Sequence, residues 1–81
     1  MTRQEATTRV QAVFRDIFDN ETMTIQDDMS ARDVEDWDSL THVNLVAAIE
    51  KEFKIRFALA EIQTLKNVGE MIDLVVRKVP A

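Results

Sequence analysis

The chain predicts an all-α fold: a four-helix bundle with a short third helix and a long loop between helices 1 and 2, built as one domain over residues 1–81. Three observations point that way. A single glycine and a single proline are too few for a turn-rich β-sandwich or barrel. Apolar residues recur at helical rather than strand period near both ends of the chain. Those two stripes are each preceded by a capping signature, Thr2 with Glu5 and Asn67 with Glu70.

The first helix follows Thr2. Ala6, Val10, Val13, Phe14, Ile17 and Phe18 lie on one stripe and read as core, until the turn-forming pair Asp19-Asn20 ends the pattern. From Asn20 to Asp36 the periodicity lapses. Ile25, Met29 and Val34 are the apolar anchors expected to pin this long connection to the bundle, with one helical turn near residues 30–34. The second helix begins at Asp36-Trp37-Asp38-Ser39, where either Asp36 or Asp38 serves as N-cap, and runs to about Phe53. At about 100° per residue it has two faces. His42, Leu45, Val46, Ile49 and Phe53 point inward, while Leu40, Val43, Asn44, Ala47 and Lys51 lie roughly opposite and face a partner. Lys54-Ile55-Arg56-Phe57 alternates like a strand but has no second strand to pair with, so it reads as a connector anchored by Ile55 and Phe57. Leu59, Ile62 and Leu65 define a short third helix of about two turns. Val68, Met71, Ile72, Val75, Val76 and Val79 define the fourth, with Arg77 and Lys78 suited to its carboxyl end and Pro80 to stop it.

The net charge of −5 is unevenly placed. Residues 21–38 hold seven acids (Glu21, Asp27, Asp28, Asp33, Glu35, Asp36 and Asp38) against one base, Arg32, whereas the remainder holds eight acids and nine bases. Such a patch disfavours nucleic-acid phosphates and anionic membranes and favours basic protein partners. No apolar run approaches the roughly 20 residues of a membrane span, and no signal-peptide core opens the chain, so the cytoplasm is expected by default; a monomer is expected separately.

Most chemistry is poorly supported by these residues. Zero cysteines exclude a disulfide framework, a thiolate metal site and a cysteine nucleophile. The acids of residues 27–36 lack EF-hand spacing and its bend glycine, and His42 has no second histidine for a zinc site, so no metal is expected. His42 reads as a half-buried helix residue with a hydrogen bond rather than a general base. Ser39, His42 and Asp38 lie close together in sequence, but no nucleophile elbow or glycine-rich oxyanion loop accompanies them. The chain is therefore not expected to be an enzyme. Ser39 stands out by position, as a hydroxyl at the amino end of a helix behind an acid-rich loop. It reads either as a capping serine or as a modified one, whose phosphate would sit at the positive end of the helix dipole.

Asp38-Ser39-Leu40, continued as Thr41-His42-Val43-Asn44-Leu45-Val46 and Glu50-Lys51-Glu52-Phe53, resembles the D-S-L signature and second helix of acyl carrier proteins. The likeness extends over nearly the whole chain, through the Ile62-x-x-Leu65-x-x-Val68 run into the last helix. It implies that Ser39 carries a covalent 4′-phosphopantetheine, derived from coenzyme A and installed by a phosphopantetheinyl transferase. The arm's thiol would supply the sulfur missing from the polypeptide and hold an acyl or aminoacyl group as a thioester for acyl-activating, acyltransferase or synthase enzymes. Asp38, Leu40, Val43 and Ala47 match the family's motif and recognition positions and, with Asp36 and Asn44 beside them, are expected to meet partners, while expected bundle geometry places folded-back cargo among Val46, Ile49, Ile62 and Met71. The resemblance is imperfect. Fatty-acid carriers usually bear acids along the second helix where this chain has Thr41, Asn44, Lys51 and Lys54, which implies a specialised stand-alone carrier of lipid, polyketide, peptide or glycan-modifying biosynthesis. The alternative from another class is an unmodified acidic helical adaptor that binds basic proteins through residues 21–38.

Overall fold

Thr2 opens the first helix by accepting the Glu5 N–H on its hydroxyl at 3.1 Å, which satisfies one of the orphan amides of the first turn. The computed structural model describes residues 1–34 and 36–79. It contains α1 (Arg3–Ile17), α2 (Ser39–Phe53), α3 (Leu59–Thr64) and α4 (Val68–Lys78), and no strand among the described residues. The expected stop at Pro80 lies outside them; the last helical residue is Lys78, whose partner Glu61 on α3 is 2.8 Å away.

Helix α1 packs against both α2 and α4. Ala6, Val10 and Phe14 of α1 meet Leu45 and Ile49 of α2 and Met71, Ile72 and Val75 of α4 in one buried cluster. The connector after α2 holds no strand, as the lack of a pairing partner suggests, and Ile55 and Phe57 are its buried anchors. Lys54 ends α2 in the left-handed region (φ 56°), a conformation that costs a residue with a Cβ about 1–2 kcal/mol. The Ile55 N–H returns to the Glu50 carbonyl at 3.1 Å and the Ile55 side chain is buried, so the strain turns the chain back onto the core.

The long loop is held by more than its apolar anchors. Ile25 is buried and Met29 and Val34 pack on the core, as their isolation among polar residues suggests. In addition the Met29 carbonyl accepts the Val68 N–H and the Asp27 carbonyl accepts the Gly69 N–H, both at 2.8 Å, so the loop caps the start of α4. That approach favours glycine at 69, because a Cβ there would stand a tight 3.0 Å from both Cβ and the carbonyl oxygen of Asp27 and the loop would have to yield slightly. Arg3 closes the same junction through ion pairs to Asp27 (3.0 Å) and Asp73 (2.8 Å). The turn expected near residues 30–34 is present as one i→i+3 turn that no helix continues: the Ser30 carbonyl accepts the Asp33 N–H at 2.9 Å, and the Asp33 carboxylate takes the Ser30 N–H at 2.9 Å.

Candidate functional site

Of the two acids that could cap α2, Asp38 does so, its Oδ1 accepting the Thr41 N–H at 2.8 Å. Asp36 lies exposed two residues earlier. Ser39 is thus the first helical residue rather than the cap. It is exposed, and among the described residues its hydroxyl has no hydrogen-bond partner. The side chain is an unengaged alcohol at the positive end of a helix dipole.

The Thr41 amide, and after it the Thr41 hydroxyl, holds the Asp38 carboxyl below the ordinary aspartate range. Glu61 is likewise depressed, first by the Lys78 ammonium and then by the Ala58 N–H. A carboxyl whose folded value lies below its unfolded value stabilises the fold above the unfolded value, and that stability is lost as pH falls through the folded one. The thermal midpoint will therefore drop on acidification through and below the ordinary carboxylate range. Part of that drop should vanish in Asp38→Asn, which still caps but does not titrate. Superimposable melting profiles of the two proteins against pH would contradict this role for Asp38.

The two faces of α2 are as its phase predicts. Leu40 and Val43 are 71% and 62% exposed, and Asn44, Ala47 and Lys51 are exposed beside them. On the inner face Leu45, Val46, Ile49 and Phe53 are buried, and His42 is half-buried. An open cleft of about 670 Å³ begins beside Ser39, with Trp37, His42 and Val43 on one side and Ile62 and Met71 of the α3–α4 half among its other lining residues. Of the four residues expected to receive cargo, Ile62 and Met71 line this cleft. Val46 and Ile49, one and two turns beyond His42, are buried and do not line it, and Met71 is itself a core residue with only 1% of its surface exposed.

Trp37 was not legible as a core residue among its acidic neighbours. It is 8% exposed, with its ring edge-on to Phe14 (5.4 Å between centroids, 84°), and its Nε1–H donates to His42 Nδ1 at 3.1 Å. A signal existed: Trp37 precedes the cap and His42 is the fourth helical residue, the two positions joined by a hydrophobic staple.

The family model described as "Phosphopantetheine attachment site" matches residues 8–75. The chain belongs to that family. This carrier domain is 29% identical over 75 residues to the acyl carrier protein of Acidothermus cellulolyticus, a match covering 93% of the chain and 89% of that protein. It also superposes on the solution NMR structure of holo acyl carrier protein from Geobacter metallireducens with a TM-score of 0.85 and 42% identity, covering 90% of this chain and 84% of that one. The four-helix fold is shared, and the carrier role with its covalent 4′-phosphopantetheine follows from the family. The unmodified-adaptor alternative is not favoured. Acyl carrier proteins work with phosphopantetheinyl transferases and with biosynthetic enzymes in general. The described residues suit such an arm: the Ser39 hydroxyl is unengaged, and the adjoining cleft leaves space at its root. Among them no helix is long and apolar enough to cross a membrane.

Proposed function

We propose that Ser39 is the attachment point and that the chain is a specialised carrier of acyl or aminoacyl groups. The observation that carries the reading is the exposed Ser39 hydroxyl, without a hydrogen-bond partner among the described residues, on the first residue of α2, with Asp38 rather than Ser39 performing the capping. Ser39 Oγ attacks the pantetheine-bearing phosphorus of coenzyme A. The new ester bond forms as the pyrophosphate link breaks, the nucleotide portion leaves, and the serine proton passes to the transferase. When bound, the group supplies a long flexible tether ending in a thiol, which carries cargo as a thioester. The chain itself contributes the tether point, a cleft beside it and the surface that partners read.

Leu40, Val43 and Ala47 form that surface, with Asn44 among them and Asp36 and Asp38 at its Ser39 end. Exposed apolar side chains of this size on one helix face are suited to anchor a partner. The acids further along α2 are engaged within the fold: Glu50 accepts the Phe57 N–H at 2.8 Å, and Glu52 pairs with Arg9 at 2.9 Å. Exposed Lys51 and Lys54 accompany them, so a partner that requires an acidic second helix meets basic groups there. This supports a role outside housekeeping fatty-acid synthesis. The protein will not fully rescue a strain lacking its fatty-acid carrier; growth at the parental rate would sink the specialised assignment.

The attachment reading is tested by incubating the protein with coenzyme A and a broad-specificity phosphopantetheinyl transferase, then measuring intact mass. A single pantetheine-phosphate increment mapped to the peptide containing Ser39 is expected. No increment, or one mapped elsewhere, overturns it. In the same assay Leu40→Asp should slow loading about tenfold or more, as loss of an apolar anchor does; an unchanged rate would remove Leu40 from the docking face.

A further inference from the structure

His42 stands three residues beyond Ser39, the spacing that brings side chains to one face of a helix, and both residues line the same cleft. Its ring state follows from its neighbour. An indole Nε1–H can only donate, and that of Trp37 lies 3.1 Å from His42 Nδ1. Nδ1 must then offer its lone pair, so in the neutral ring the proton sits on Nε2. Nε2 has no hydrogen-bond partner among the described residues, and none of their buried side-chain nitrogens or oxygens lacks one. The Nε2–H therefore reaches solvent.

This donor is also held in place. The His42 ring lies 20° from the plane of Trp37, and Trp37 is wedged edge-on against Phe14 and Phe18 at 5.4 and 6.1 Å. The nearby acid is committed elsewhere, because the Asp38 carboxylate faces the Thr41 amide. A pre-aimed donor one turn from an alcohol that receives a phosphodiester suits an anionic oxygen, where a charge-assisted bond is stronger than one to water.

We propose that His42 is a positioning residue for the arm: its Nε2–H donates to a phosphodiester oxygen on Ser39 and turns the root of the arm along the cleft. The inference rests on Ser39 as the attachment point. Trp37 acts through His42, by selecting the tautomer and fixing the ring.

The test compares unloaded and loaded protein by NMR in mildly alkaline buffer, after intact mass has established loading. Nitrogen-edited spectra should show the Nε2–H tautomer, with an imidazole proton lost to water exchange in the unloaded protein and observable in the loaded one. The phosphorus resonance should be displaced in loaded His42→Leu and return at least halfway in loaded His42→Gln, which keeps an N–H of similar reach. An identical phosphorus shift in wild type and His42→Leu overturns the proposal, as does a His42→Gln displacement equal to that of His42→Leu. If His42→Leu fails to fold, the wild-type comparison decides: an Nε2–H that is equally exchange-broadened in both forms overturns it. A protein that gains no arm removes the attachment reading and this inference together, whereas normal loading with unaltered spectra removes this inference alone.

Discussion

Ser39→Ala will abolish incorporation of the arm while leaving the fold intact. The chemistry is all-or-none, since alanine has no oxygen to form the phosphate ester. The structural half of the expectation is specific to this site. In many helices an N-terminal serine is the cap, and its loss costs about 1 kcal/mol. Here Asp38 holds the Thr41 amide at 2.8 Å and its carbonyl accepts the His42 N–H at 2.9 Å, so the first turn is satisfied without Ser39. The side chain is exposed, and alanine is the better helix former. Unfolding free energy should stay within about 0.5 kcal/mol of wild type, the range of ordinary surface substitutions. Denaturant titration and intact mass on one preparation check both halves. An unfolded variant would leave the loading result without meaning for the site, and a variant that still gains the increment would move the attachment elsewhere.

Side-chain period carried much of the fold. It located α1, α2 and α4 because each buries a continuous stripe, and a stripe is a local property of sequence. Asn67 could be read as the cap of α4 on similar grounds, and its Oδ1 does accept the Glu70 N–H at 2.9 Å. The loop was harder. Its apolar anchors could be picked out, but the bonds from Asp27 and Met29 to the first amides of α4 join residues about forty apart. No spacing rule reports such a contact, and the lone glycine offered only a hint that backbones approach closely near residue 69. The single turn near residues 30–34 is closed by the Asp33 carboxylate on the Ser30 amide, a contact that depends on side-chain chemistry rather than period.

The site was legible in part for the same reason. Helix phase separated exposed Leu40 and Val43 from buried Leu45 and Val46, so the outer face of α2 could be assigned from sequence. The cleft could not, because its walls come from two separate stretches of the chain, residues 31–43 and 62–71, and its depth depends on which inward residues the core absorbs. Val46 and Ile49 went wholly to the core, whereas half-buried Ile62 and the largely buried Met71 line the cleft that Ser39 also lines. Trp37 links the two levels. Its indole bonds the first turn of α2 on one side and meets the α1 aromatics on the other, so the geometry around Ser39 is anchored directly in the hydrophobic core.

That anchoring makes Phe14→Ala the most damaging single substitution expected in the core. Phe14 is fully buried and lies 5.8 Å from the Phe18 ring and 5.4 Å from Trp37. Truncating a buried phenylalanine costs about 3–5 kcal/mol through lost transfer energy and the cavity left behind. Loss of an edge-on aromatic pair adds to the upper part of that range. Domains of this size have about 5–15 kcal/mol in total and tend toward the lower end, so the variant gives up between a third and most of its stability. At about 4–8 °C per kcal/mol, the thermal midpoint should fall by roughly 12–40 °C. Phe14→Leu keeps most of the volume and should lose clearly less. The cavity also opens beside Trp37, so emission from this single tryptophan should report a wetter indole before global unfolding begins. A loss below about 1 kcal/mol would mean that the site collapses around the smaller side chain, the route by which cores absorb such truncations. Trp37 would then shift toward α1, and the His42 ring would be re-aimed along with it.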